Sequence, residues 1–432
     1  MFVTFETLPP EATVSATATP TSSSPRRSSG SQRVVVLGSS FAGLTAALEL
    51  RKRLPARHEV VVLDPRDRFT FIPSLIWLPF GLRDGDDVTF PLGPLYRRKA
   101  IRFVNEAARR IDPAAHVVTT TSGEELDYDR LLVATGPRLA FEKVPGLGPD
   151  DGHTQSVCNL EHARHAGEAW ERFLADPGPV VVGTAQGGSC FGASYEFLFN
   201  IRHRIHKAGL DDVAPVTFVS AEPYLGHFGL GGVGDSARRV RGFLDRLGIE
   251  GLPNSAIAEA RDGEMELAGG RVLPFAYAMV VPPFTGVDAV RESGLGNPMG
   301  FVPVDDGFRH PEHPDVYAAG VAVAIAPPQP TPVPAGVPKT GQMSETMARV
   351  AAQNIAADIA GGDHRELPVT DLAAMCVLDA GNNGIVFRAE HVLAGPDGRG
   401  RAHVMAGPQA HWAKLAFERY FMASRRRGLV AL

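Results

Sequence analysis

Cysteine is scarce in this sequence, which contains only Cys158, Cys190 and Cys376 among its 432 residues. A disulfide framework or a structural zinc site needs more ligands at closer spacing, so we predict neither of them and no metal site. The sequence also lacks an apolar run suited to crossing a bilayer, because its best uncharged candidate, residues 321–338, is interrupted by repeated prolines. Any contact with a membrane is therefore expected to be peripheral.

An excess of basic residues is absent as well, since the formal net charge is −5. This balance gives no general reason to expect a nucleic-acid partner. Hydrophobic residues make up 44% of the chain and charged residues 21%, which is typical of globular proteins. A chain of 432 residues is too long for one simple core, so we predict two or three domains. The composition is compatible with a homo-oligomer.

The first 30 residues are rich in Ser, Thr, Pro and Ala and show no apolar periodicity. We therefore predict a disordered tail over residues 1–30. Arg26 and Arg27 resemble the pair of a twin-arginine export signal, but polar residues follow where that signal needs an apolar segment. We expect no export signal, and hence a position on the cytoplasmic face of the membrane.

A dinucleotide-binding pattern begins at residue 33. The apolar run RVVVL at 33–37 predicts a buried parallel strand, and GSSFAG at 38–43 leads into a helical pattern. Such a turn places a pyrophosphate at the helix N-terminus, where free N–H groups and the helix dipole favour negative charge. The next strand ends in an acid about 20 residues after the last glycine, the spacing of a ribose-binding carboxylate. The predicted ligands are Gly38, Ser39, Ser40 (in place of the middle glycine), Gly43 and Asp64.

Two later segments are similar to further motifs of the flavoproteins that contain two dinucleotide-binding domains. The predicted strand YDRLLVATG at 128–136 ends in Ala-Thr-Gly, where such proteins bring a turn close to FAD. The sequence DVYAAG at 315–320 resembles their last FAD motif, although Val321 stands where most of them have Asp. The resemblance implies FAD as the cofactor, with Thr135, Gly136 and Gly320 close to it.

Between these motifs lies a second pattern of strand, glycine turn and helix. The strand at 180–183 leads into TAQGG at 184–188, and another strand is predicted at 216–220. In a pyridine-nucleotide enzyme this unit would bind NADH, and Glu222 is placed to act as its ribose ligand. A cysteine and a phenylalanine, however, occupy the start of the following helix, close to the expected pyrophosphate. We therefore expect NADH to fit poorly.

Cys190 lies in the sequence GGSCFGASYEF at 187–197. A thiol near a helix N-terminus has its thiolate stabilised, so we predict a lowered pKa for Cys190 and a reactive thiolate at neutral pH. At this point the chain resembles the sulfide:quinone oxidoreductases, whose signature combines a glycine-rich turn, Ser-Cys-Phe-Gly and Tyr-Glu-Phe. The resemblance extends over most of residues 33–422.

Four further segments carry this resemblance, at residues 158–162, 223–235, 331–341 and 376–384. The third is similar to the family segment that reaches the flavin ring and the quinone pocket. The first and last hold the remaining two cysteines, so each of the three family cysteines has a counterpart here. The residues matched in these segments are Cys158, His162, His227, Lys339, Thr340, Gly341 and Cys376.

The resemblance implies an FAD-dependent oxidoreductase that oxidises hydrogen sulfide and reduces a membrane quinone. Cys190 and Cys376 would form the redox-active pair that takes up sulfide as a persulfide or a longer sulfur chain. Cys158 would stand nearer the flavin, and in some family members the matching cysteine carries a covalent flavin bond. Reduced FAD would pass both electrons to the quinone.

Several of these side chains also have ordinary structural interpretations. His162 and His227 would move protons during sulfur transfer, or serve as hydrogen-bonded structural residues. Glu196, within the cysteine signature, would handle protons or lie on a solvated face. Lys339 would polarise flavin or quinone oxygens, or extend from an exposed loop. A lone cysteine is by default a small buried hydrophobic residue, so the roles of the cysteines depend on their context and on the family match.

The segment at 411–422 is predicted to form an amphipathic helix at the membrane surface. A broad apolar face is followed by a cationic cluster at 425–427. Such a helix places its apolar side at the acyl boundary and its arginines at anionic headgroups. The alternative is a helix packed on the protein's own core. The predicted apolar face consists of Trp412, Leu415, Ala416, Phe417, Tyr420 and Phe421.

Together these patterns predict an α/β fold with two Rossmann-like domains of the three-layer ββα type and a small C-terminal domain. The FAD domain is predicted at 31–150 and 300–360, the second Rossmann-like domain at 151–299, and a C-terminal quinone and membrane domain at 361–432. Three other functions remain open, because the fold alone does not choose among them. They are a type II NADH:quinone oxidoreductase, the flavoprotein subunit of flavocytochrome c sulfide dehydrogenase, and a non-catalytic flavin redox sensor.

Overall fold

The computed structural model describes residues 30–394 and 402–430. The predicted disordered tail, apart from its last residue, lies outside the described residues. Short 3-10 helices span Ile72–Phe80, Phe141–Lys143, Gly320–Ala322 and Val369–Asp371. The α-helices are α1 (Phe41–Arg53), α2 (Leu92–Arg98), α3 (Leu160–Ala175), α4 (Phe191–Lys207), α5 (Ser236–Leu247), α6 (Asp288–Arg291), α7 (Gly341–Ala360) and α8 (Pro408–Arg426).

The strands fall into parallel sheets and smaller antiparallel ones. The first ten are β1 (Arg33–Leu37), β2 (Glu59–Leu63), β3 (Arg68–Thr70), β4 (Thr89–Pro91), β5 (Arg102–Val104), β6 (Ala108–Asp112), β7 (Val117–Thr120), β8 (Glu125–Asp127), β9 (Arg130–Val133) and β10 (Arg138–Leu139). The later ones are β11 (Val180–Thr184), β12 (Val216–Ser220), β13 (Glu250–Leu252), β14 (Ile257–Arg261), β15 (Glu264–Leu267), β16 (Val272–Pro274), β17 (Tyr277–Val281), β18 (Phe284–Thr285), β19 (Val316–Ala318), β20 (Ala374–Asp379), β21 (Gly384–Ala389) and β22 (Ala402–Ala406).

The first Rossmann-like unit is built on a parallel sheet with the strand order β19-β9-β1-β2-β5. Every residue of β1 is buried, as its continuous apolar sequence predicts for a strand covered on both faces. β1 pairs in register with β2, ending at Leu37↔Leu63, so both strands finish at the same edge. The glycine turn therefore meets the carboxyl end of β2 at the edge where open α/β sheets bind ligands.

This sheet draws on two separated parts of the chain. β19 returns late in the sequence and pairs with β9, ending at Ala318↔Val133. The residues that follow β19 and β9 are thereby brought to the same edge as the turn after β1. This arrangement brings together the two segments predicted to form one discontinuous domain, and the boundaries of the three domains stay a prediction.

The second Rossmann-like unit has the parallel strand order β13-β12-β11-β17. β11 and β17 are buried throughout, and the two strands predicted from the sequence at 180–183 and 216–220 are present as β11 and β12. The helix α4 follows the glycine turn after β11, as the pattern predicts. Both predicted Rossmann-like units are thus present, and the α/β fold class is confirmed.

The C-terminal part consists of the antiparallel sheet β20-β21-β22 and the helix α8. Cys376 lies in β20 opposite Phe387 of β21. α8 is longer than the segment predicted as a helix and packs against β20 and β21. Across the described ranges, no helix combines the length and hydropathy needed to span a membrane.

Candidate active site

The turn after β1 is packed tightly against α1 and the strand β9. Gly38 has a φ of +96°, and a Cβ atom there would lie 2.3 Å from the carbonyl oxygen of Ala134. A Cβ atom at Gly43 would lie 2.0 Å from the oxygen of Gly38. Both positions therefore require glycine. Ser40, half-buried, is the N-cap residue of α1 and makes no side-chain capping bond.

Asp64 is buried at the end of β2, beside this turn. Its Oδ2 accepts a hydrogen bond of 2.6 Å from the amide of Ser39, and its Oδ1 accepts one of 2.8 Å from the amide of Arg66. The Arg66 guanidinium also pairs with this carboxylate, at 3.1 Å between Nε and Oδ1. Asp64 thus holds the turn in place, and a ribose hydroxyl would share a carboxylate that already has protein donors.

Two further segments reach the start of α1. A Cβ atom at Gly320, where φ is +73°, would lie 2.9 Å from the Cβ of Ala42. A Cβ atom at Gly341 would lie 3.1 Å from the ring of Phe41. Thr340 caps α7 through its side-chain oxygen. The N-termini of α1 and α7 therefore converge on the glycine turn, together with the end of β19.

These features fit a dinucleotide cofactor. Helix N-termini favour the negative charge of a pyrophosphate, and Gly38 and Gly43 allow a tight turn that a Cβ atom at either position would prevent. Thr135 and Gly136 follow β9 at the same edge and are half-buried. Lys339 is also half-buried, with its Nζ 5.0 Å from the centroid of the Phe301 ring, and burial lowers the pKa of Lys339 to about 8. The interpretation of Lys339 as an exposed loop residue is therefore wrong.

The corresponding turn in the second unit is covered by the chain itself. The amide of Gly187 donates a hydrogen bond of 2.6 Å to the carbonyl of Pro334. The amide of Gly336 donates one of 2.9 Å to the carbonyl of Gly188. A Cβ atom at Gly336 would lie 2.8 Å from the Cβ of Ser189. Residues 334–336 thus lie where the pyrophosphate of NADH would approach.

Glu222, the candidate ribose ligand of this second unit, is fully buried and has several protein donors. Its Oε2 accepts hydrogen bonds of 2.8 Å from the Tyr195 hydroxyl and 2.7 Å from the Ser220 hydroxyl. Its Oε1 accepts one of 2.6 Å from the amide of Phe228. Burial raises the pKa of Glu222 to about 7, with these hydrogen bonds acting in the opposite direction. The carboxylate anchors α4 and the loop after β12, and is poorly placed to bind a ribose.

The three cysteines are free thiols, each half-buried. Cys190 is the N-cap residue of α4, and a Cβ atom on Gly192 in the first turn would lie 3.4 Å from the Sγ of Cys376. The charge state of Cys190 influences the pKa values of both Cys158 and Cys376, so both lie within electrostatic reach of it. The structure therefore brings together the three cysteines that the sequence separates.

The predicted lowering of the Cys190 pKa is wrong. Burial raises the pKa of this thiol, and the negative charge of Glu196 adds to the effect, while the amide of Ala193 only partly offsets it. Burial also raises the pKa of Cys158 and of Cys376 to about 12. Loss of hydration outweighs the N-terminus of α4 because the sulfur atoms are surrounded by protein.

Glu196 is buried one turn further along α4, so it is not a residue of a solvated face. Its Oε1 accepts a hydrogen bond of 2.7 Å from the amide of Asp379 and pairs with Nζ of Lys414. Burial raises the pKa of Glu196 to about 7, and the ammonium of Lys414 acts against this shift. Glu196 lies within electrostatic reach of Cys190 and Cys376, and its proton-handling role stays a prediction.

The two candidate histidines are both buried but differ in their surroundings. Within the described residues, Nδ1 of His162 has no hydrogen-bond partner, and burial lowers the pKa of this imidazole. His162 lies in the first turn of α3, shortly after Cys158. His227 accepts a hydrogen bond of 3.1 Å from the amide of Gly229 and thereby stabilises the glycine-rich loop. The geometry favours a structural role for His227, and the catalytic roles of both residues stay a prediction.

Comparison with known proteins agrees with this arrangement. Residues 32–348 match the family model described as pyridine nucleotide-disulphide oxidoreductase. A sulfide-quinone reductase of Aquifex aeolicus is 36% identical, with 93% of this chain and 92% of the relative covered. A solved structure of the sulfide:quinone oxidoreductase from this hyperthermophilic bacterium superposes with a TM-score of 0.87, at 36% identity and with 93% of each chain covered.

The chain belongs to the sulfide:quinone oxidoreductase family. It is accordingly an enzyme, a flavin-dependent oxidoreductase. A type II NADH:quinone oxidoreductase of Staphylococcus haemolyticus is also similar, but it is only 24% identical, with 82% of this chain and 90% of that protein covered. The sequence-based assignment to the first family is therefore confirmed.

Several residues of this family member that surround the cysteines were missed by the sequence analysis. Lys414 and Asp379 are buried beside Glu196, and His411 pairs with Asp379. The sequence shows that Lys414, Glu418 and Arg425 share one face of α8, because they recur at helical spacing, but it does not show that this face is buried. All three are buried in the structure, so this face of α8 is directed inward despite its charges.

The predicted membrane face of α8 is partly wrong for the same reason. Phe421 is buried, with its ring centroid 5.1 Å from that of Phe41 and 5.0 Å from that of Phe71. Arg425, predicted at anionic headgroups, is buried and pairs with Glu345. The exposed residues of the predicted face include Trp412, Ala416, Phe417 and Tyr420.

Proposed function

We propose that this enzyme oxidises sulfide by two electrons at Cys190 and Cys376 and passes the electrons through FAD to a membrane quinone. The observation that carries the proposal is the position of the Cys376 sulfur, which lies against the first turn of the helix capped by Cys190. Two cysteines placed in this way would form a disulfide, and hydrosulfide can attack a disulfide bond with one cysteine as the leaving group. A proton-exchanging carboxyl, Glu196, lies one turn further along that helix.

FAD would be held at the glycine turn of the first Rossmann-like unit. When bound, it supplies the two-electron exchange between the sulfur site and the quinone. The amides at the start of α1 would bind its pyrophosphate, and the half-buried ammonium of Lys339 would polarise oxygen atoms of the ring or of the quinone. The residues assigned to this cofactor are Gly38, Ser39, Ser40, Gly43, Asp64, Thr135, Gly136, Gly320, Lys339, Thr340 and Gly341.

The cysteine pair would react in its disulfide form. Hydrosulfide attacks one sulfur, a new S–S bond forms, and the old bond breaks with its electron pair moving to the departing cysteine. Burial raises the pKa values of the Cys190 and Cys376 thiols, so a bare thiolate is poorly stabilised here. Glu196, with a pKa of about 7, is suited to exchange the proton that neutralises this charge. Cys158 is assigned to the flavin side of the pair.

The arrangement of the second Rossmann-like unit supports sulfide rather than NADH as the electron donor. Residues 334–336 cover its glycine turn, and the carboxylate of Glu222 is occupied by protein donors. An NADH molecule would have to displace both. A turn that no longer binds a dinucleotide is free to place Cys190 at the start of α4 instead.

Membrane association would follow from the exposed aromatic residues of α8. Trp412 is 67% exposed and Tyr420 is 60% exposed, although both are large and amphipathic. Such side chains favour the boundary between headgroups and acyl chains. We assign α8 as the peripheral contact through which the enzyme reaches its quinone, on the cytoplasmic face.

The sulfide mechanism is tested by changing the three cysteines one at a time. Anaerobic stopped-flow measurements should show that Cys190→Ala and Cys376→Ala lower the rate of sulfide-dependent flavin reduction by a factor of about 100 or more, because the disulfide is lost. Cys158→Ala should leave the first attack by hydrosulfide intact. It should alter flavin attachment, or lower the rate of flavin reduction less than the other two substitutions do. Wild-type rates in both Cys190→Ala and Cys376→Ala would refute the mechanism.

Controls separate catalysis from folding and an enzyme from a sensor. A thermal melt and the flavin content of Cys190→Ala and Cys376→Ala should match the wild type, because neither residue lies in the glycine turn of the first unit. In a steady-state assay with sulfide and a soluble quinone, each enzyme molecule should reduce many quinone molecules. A single stoichiometric reduction without turnover would assign the chain as a redox sensor.

The membrane contact is tested with the double variant Trp412→Ser and Tyr420→Ser. Its binding to lipid vesicles, measured by flotation, should fall severalfold, while sulfide-dependent flavin reduction in solution stays unchanged. The matched control is Val213→Ser, because Val213 is 50% exposed on a loop distant in sequence from α8. Equal flotation of the double variant and the wild type would contradict the assignment of α8.

A further inference from the structure

The helix α4 and the strand β20 pack against each other and carry the two cysteines of the proposed pair. Cys190 is the N-cap residue of α4, and Cys376 is the third residue of β20. Gly192, in the first turn of α4, allows a close approach, because a Cβ atom there would lie 3.4 Å from the Sγ of Cys376. The distance between the two sulfur atoms therefore depends on how α4 is held against β20.

Two hydrogen bonds bind this helix to the end of the strand. The main-chain amide of Asp379, the last residue of β20, donates a hydrogen bond of 2.7 Å to Oε1 of Glu196. The Nδ2 of Asn200 donates one of 2.9 Å to the main-chain carbonyl of Asp379. Glu196 and Asn200 are one helical turn apart, so they lie on the same face of α4. Because Asp379 comes three residues after Cys376, these bonds fix the strand close to the reacting sulfur atom.

Asn200 is fully buried, and its side-chain amide is used only in part. Its Nδ2 also donates a hydrogen bond of 2.9 Å to the main-chain carbonyl of Glu196. Both acceptors are carbonyl oxygens, so only the NH₂ group of the amide can face them. Within the described residues, Oδ1 of Asn200 has no hydrogen-bond partner, which is costly in a buried position. An apolar side chain of this size would pack with less cost, and this points to the bond with Asp379 as the function of the amide.

The side chain of Asp379 anchors the same strand end to other parts of the molecule. It is completely buried, and its Oδ2 accepts a hydrogen bond of 2.9 Å from Nε1 of Trp77. Its Oδ1 lies 2.7 Å from Nδ1 of His411 on α8. The end of β20 is thus fixed independently of α4, and Asn200 links α4 to this fixed point.

We infer that Asn200 is a positioning residue that holds Cys376 within bonding distance of Cys190. The inference rests on the proposed function, in which these two cysteines form a disulfide. When the disulfide forms, each thiol releases a proton, an S–S bond is made, and two electrons pass to the oxidant. The equilibrium depends on the effective concentration of one thiol at the other, which rises when the elements that carry them are bound together. Asn200 acts through the main chain of β20 and not on the sulfur atoms themselves.

The test is a redox titration of the cysteine pair in the full-length, flavin-loaded enzyme and in its Asn200→Ala variant. Each protein is equilibrated anaerobically with mixtures of reduced and oxidised glutathione, and the free thiols are alkylated after an acid quench. Peptide masses then give the fraction of Cys190 and Cys376 joined to each other. The variant keeps the bond from Asp379 to Glu196 but loses the one from Asn200. Its equilibrium constant for the disulfide should fall by about tenfold, which raises the reduction potential of the pair by about 30 mV.

The matched control is Asn354→Ala, which removes another fully buried asparagine. Asn354 lies on α7, and its Nδ2 also donates to two main-chain carbonyls, those of Gly307 at 3.0 Å and Arg365 at 2.9 Å. Both of these partners lie outside α4 and β20. A thermal melt should show a similar loss of stability in the two alanine variants, but the potential of the cysteine pair in Asn354→Ala should equal that of the wild type.

The variant Asn200→Leu provides a second measurement that does not create a cavity. Leucine has nearly the volume of asparagine and fits a helix, so the variant should fold even if Asn200→Ala does not. It removes the same hydrogen bond to Asp379, so its potential should be raised by the same amount. Wild-type potentials in the Asn200 variants would overturn the positioning role, and so would an equal shift in Asn354→Ala, which would indicate general loosening.

These outcomes are separate from the failure of the proposed function. If the wild-type enzyme forms no disulfide between Cys190 and Cys376 even in oxidised glutathione alone, the proposed cysteine mechanism is wrong and the positioning role falls with it. If the disulfide forms in the wild type and its potential is the same in the Asn200 variants, only the positioning role is wrong.

Discussion

The two Rossmann-like units share the order of strand, glycine turn and helix, but different segments of the chain pack against their glycine turns. In the first unit, Gly38 and Gly43 pack the turn against α1, and the N-terminus of α7 converges on the same place. In the second unit, residues 334–336 bind the turn through main-chain hydrogen bonds, and Glu222 is buried under the loop after β12. The glycine turn of the first unit has the features of a dinucleotide site, whereas residues 334–336 cover the turn of the second unit.

The difference shows how one fold serves two tasks in the same chain. A Rossmann-like unit provides a helix N-terminus at the edge of a parallel sheet, and this position is useful for a phosphate or for a reactive side chain. The first unit retains the features of a dinucleotide site. The second places Cys190 at the start of its helix, facing the C-terminal strand that carries Cys376.

The largest expected effect comes from a substitution that disrupts the glycine turn of the first unit. Gly38→Val should abolish flavin retention, because a side chain at φ +96° would collide with the oxygen of Ala134. The absorbance spectrum of the purified protein measures flavin content. The control is Gly242→Val, on α5, where no atom of the described residues beyond its own helix would lie within 4 Å of an added Cβ. Flavin retention by Gly38→Val would remove the distinction between the two turns.

The next effect concerns the choice of electron donor. Sulfide should bleach the flavin under anaerobic conditions, and NADH should do so more slowly by a factor of about 100 or more, because the second turn is covered. Stopped-flow absorbance measures both rates, with dithionite as the control for complete reduction. Fast bleaching by NADH without bleaching by sulfide would favour the NADH:quinone oxidoreductase alternative.

A smaller effect is expected from Glu222 through its pKa, which folding raises from 4.5 to about 7. The native state therefore binds this proton more tightly than the unfolded state. The corresponding stability is complete below about pH 4.5 and is lost as the pH rises through 7, by up to about 3 kcal/mol.

The substitution Glu222→Gln removes this titration. The free energy of unfolding of the wild type, relative to that of the variant, should fall as the pH rises from about 5 to 8. Chemical denaturation at several pH values measures the difference in the free energy of unfolding between the two proteins. The titration of Glu196 contributes equally to both proteins and so does not affect this difference. Parallel pH profiles of the two proteins would show that Glu222 is not buried as the covered turn requires.

The smallest effect is expected at the covered turn itself. Gly187 has a φ of +75°, but a Cβ atom there would meet only Pro283, at an ordinary distance of 3.6 Å. Gly187→Ala should therefore cost about 1 kcal/mol of stability from the backbone conformation alone, with full flavin content. A thermal melt beside the flavin spectrum tests this. Loss of flavin from Gly187→Ala would mean that both turns serve the cofactor.

The sequence predicted the parts of the site that depend on local patterns. The buried strands β1, β2 and β11 contain uninterrupted runs of Val, and such runs are typical of parallel strands covered on both faces. The glycine turn and Asp64 were found because their spacing follows from the geometry of a βαβ unit. The cysteine signature identified the family.

Long-range packing determined what the sequence could not. The second turn is covered by residues 334–336, which lie far away in the sequence, and the inward face of α8 depends on partners such as Glu196 and Glu345. A charged helical face normally predicts exposure, so these buried ion pairs were not expected. The buried polar contacts of Asp379 with Trp77 and His411 were missed for the same reason.

The sequence by itself therefore determined the fold class, the glycine turns and the identity of the three cysteines, because strand hydrophobicity and motif spacing are local properties. Only the tertiary structure decided that one turn is covered, that Cys376 lies beside the helix of Cys190, and that the pKa of Cys190 is raised. Burial is a sum over contacts from distant segments. It outweighs the local effect of a helix N-terminus whenever those segments exclude water from the charged group.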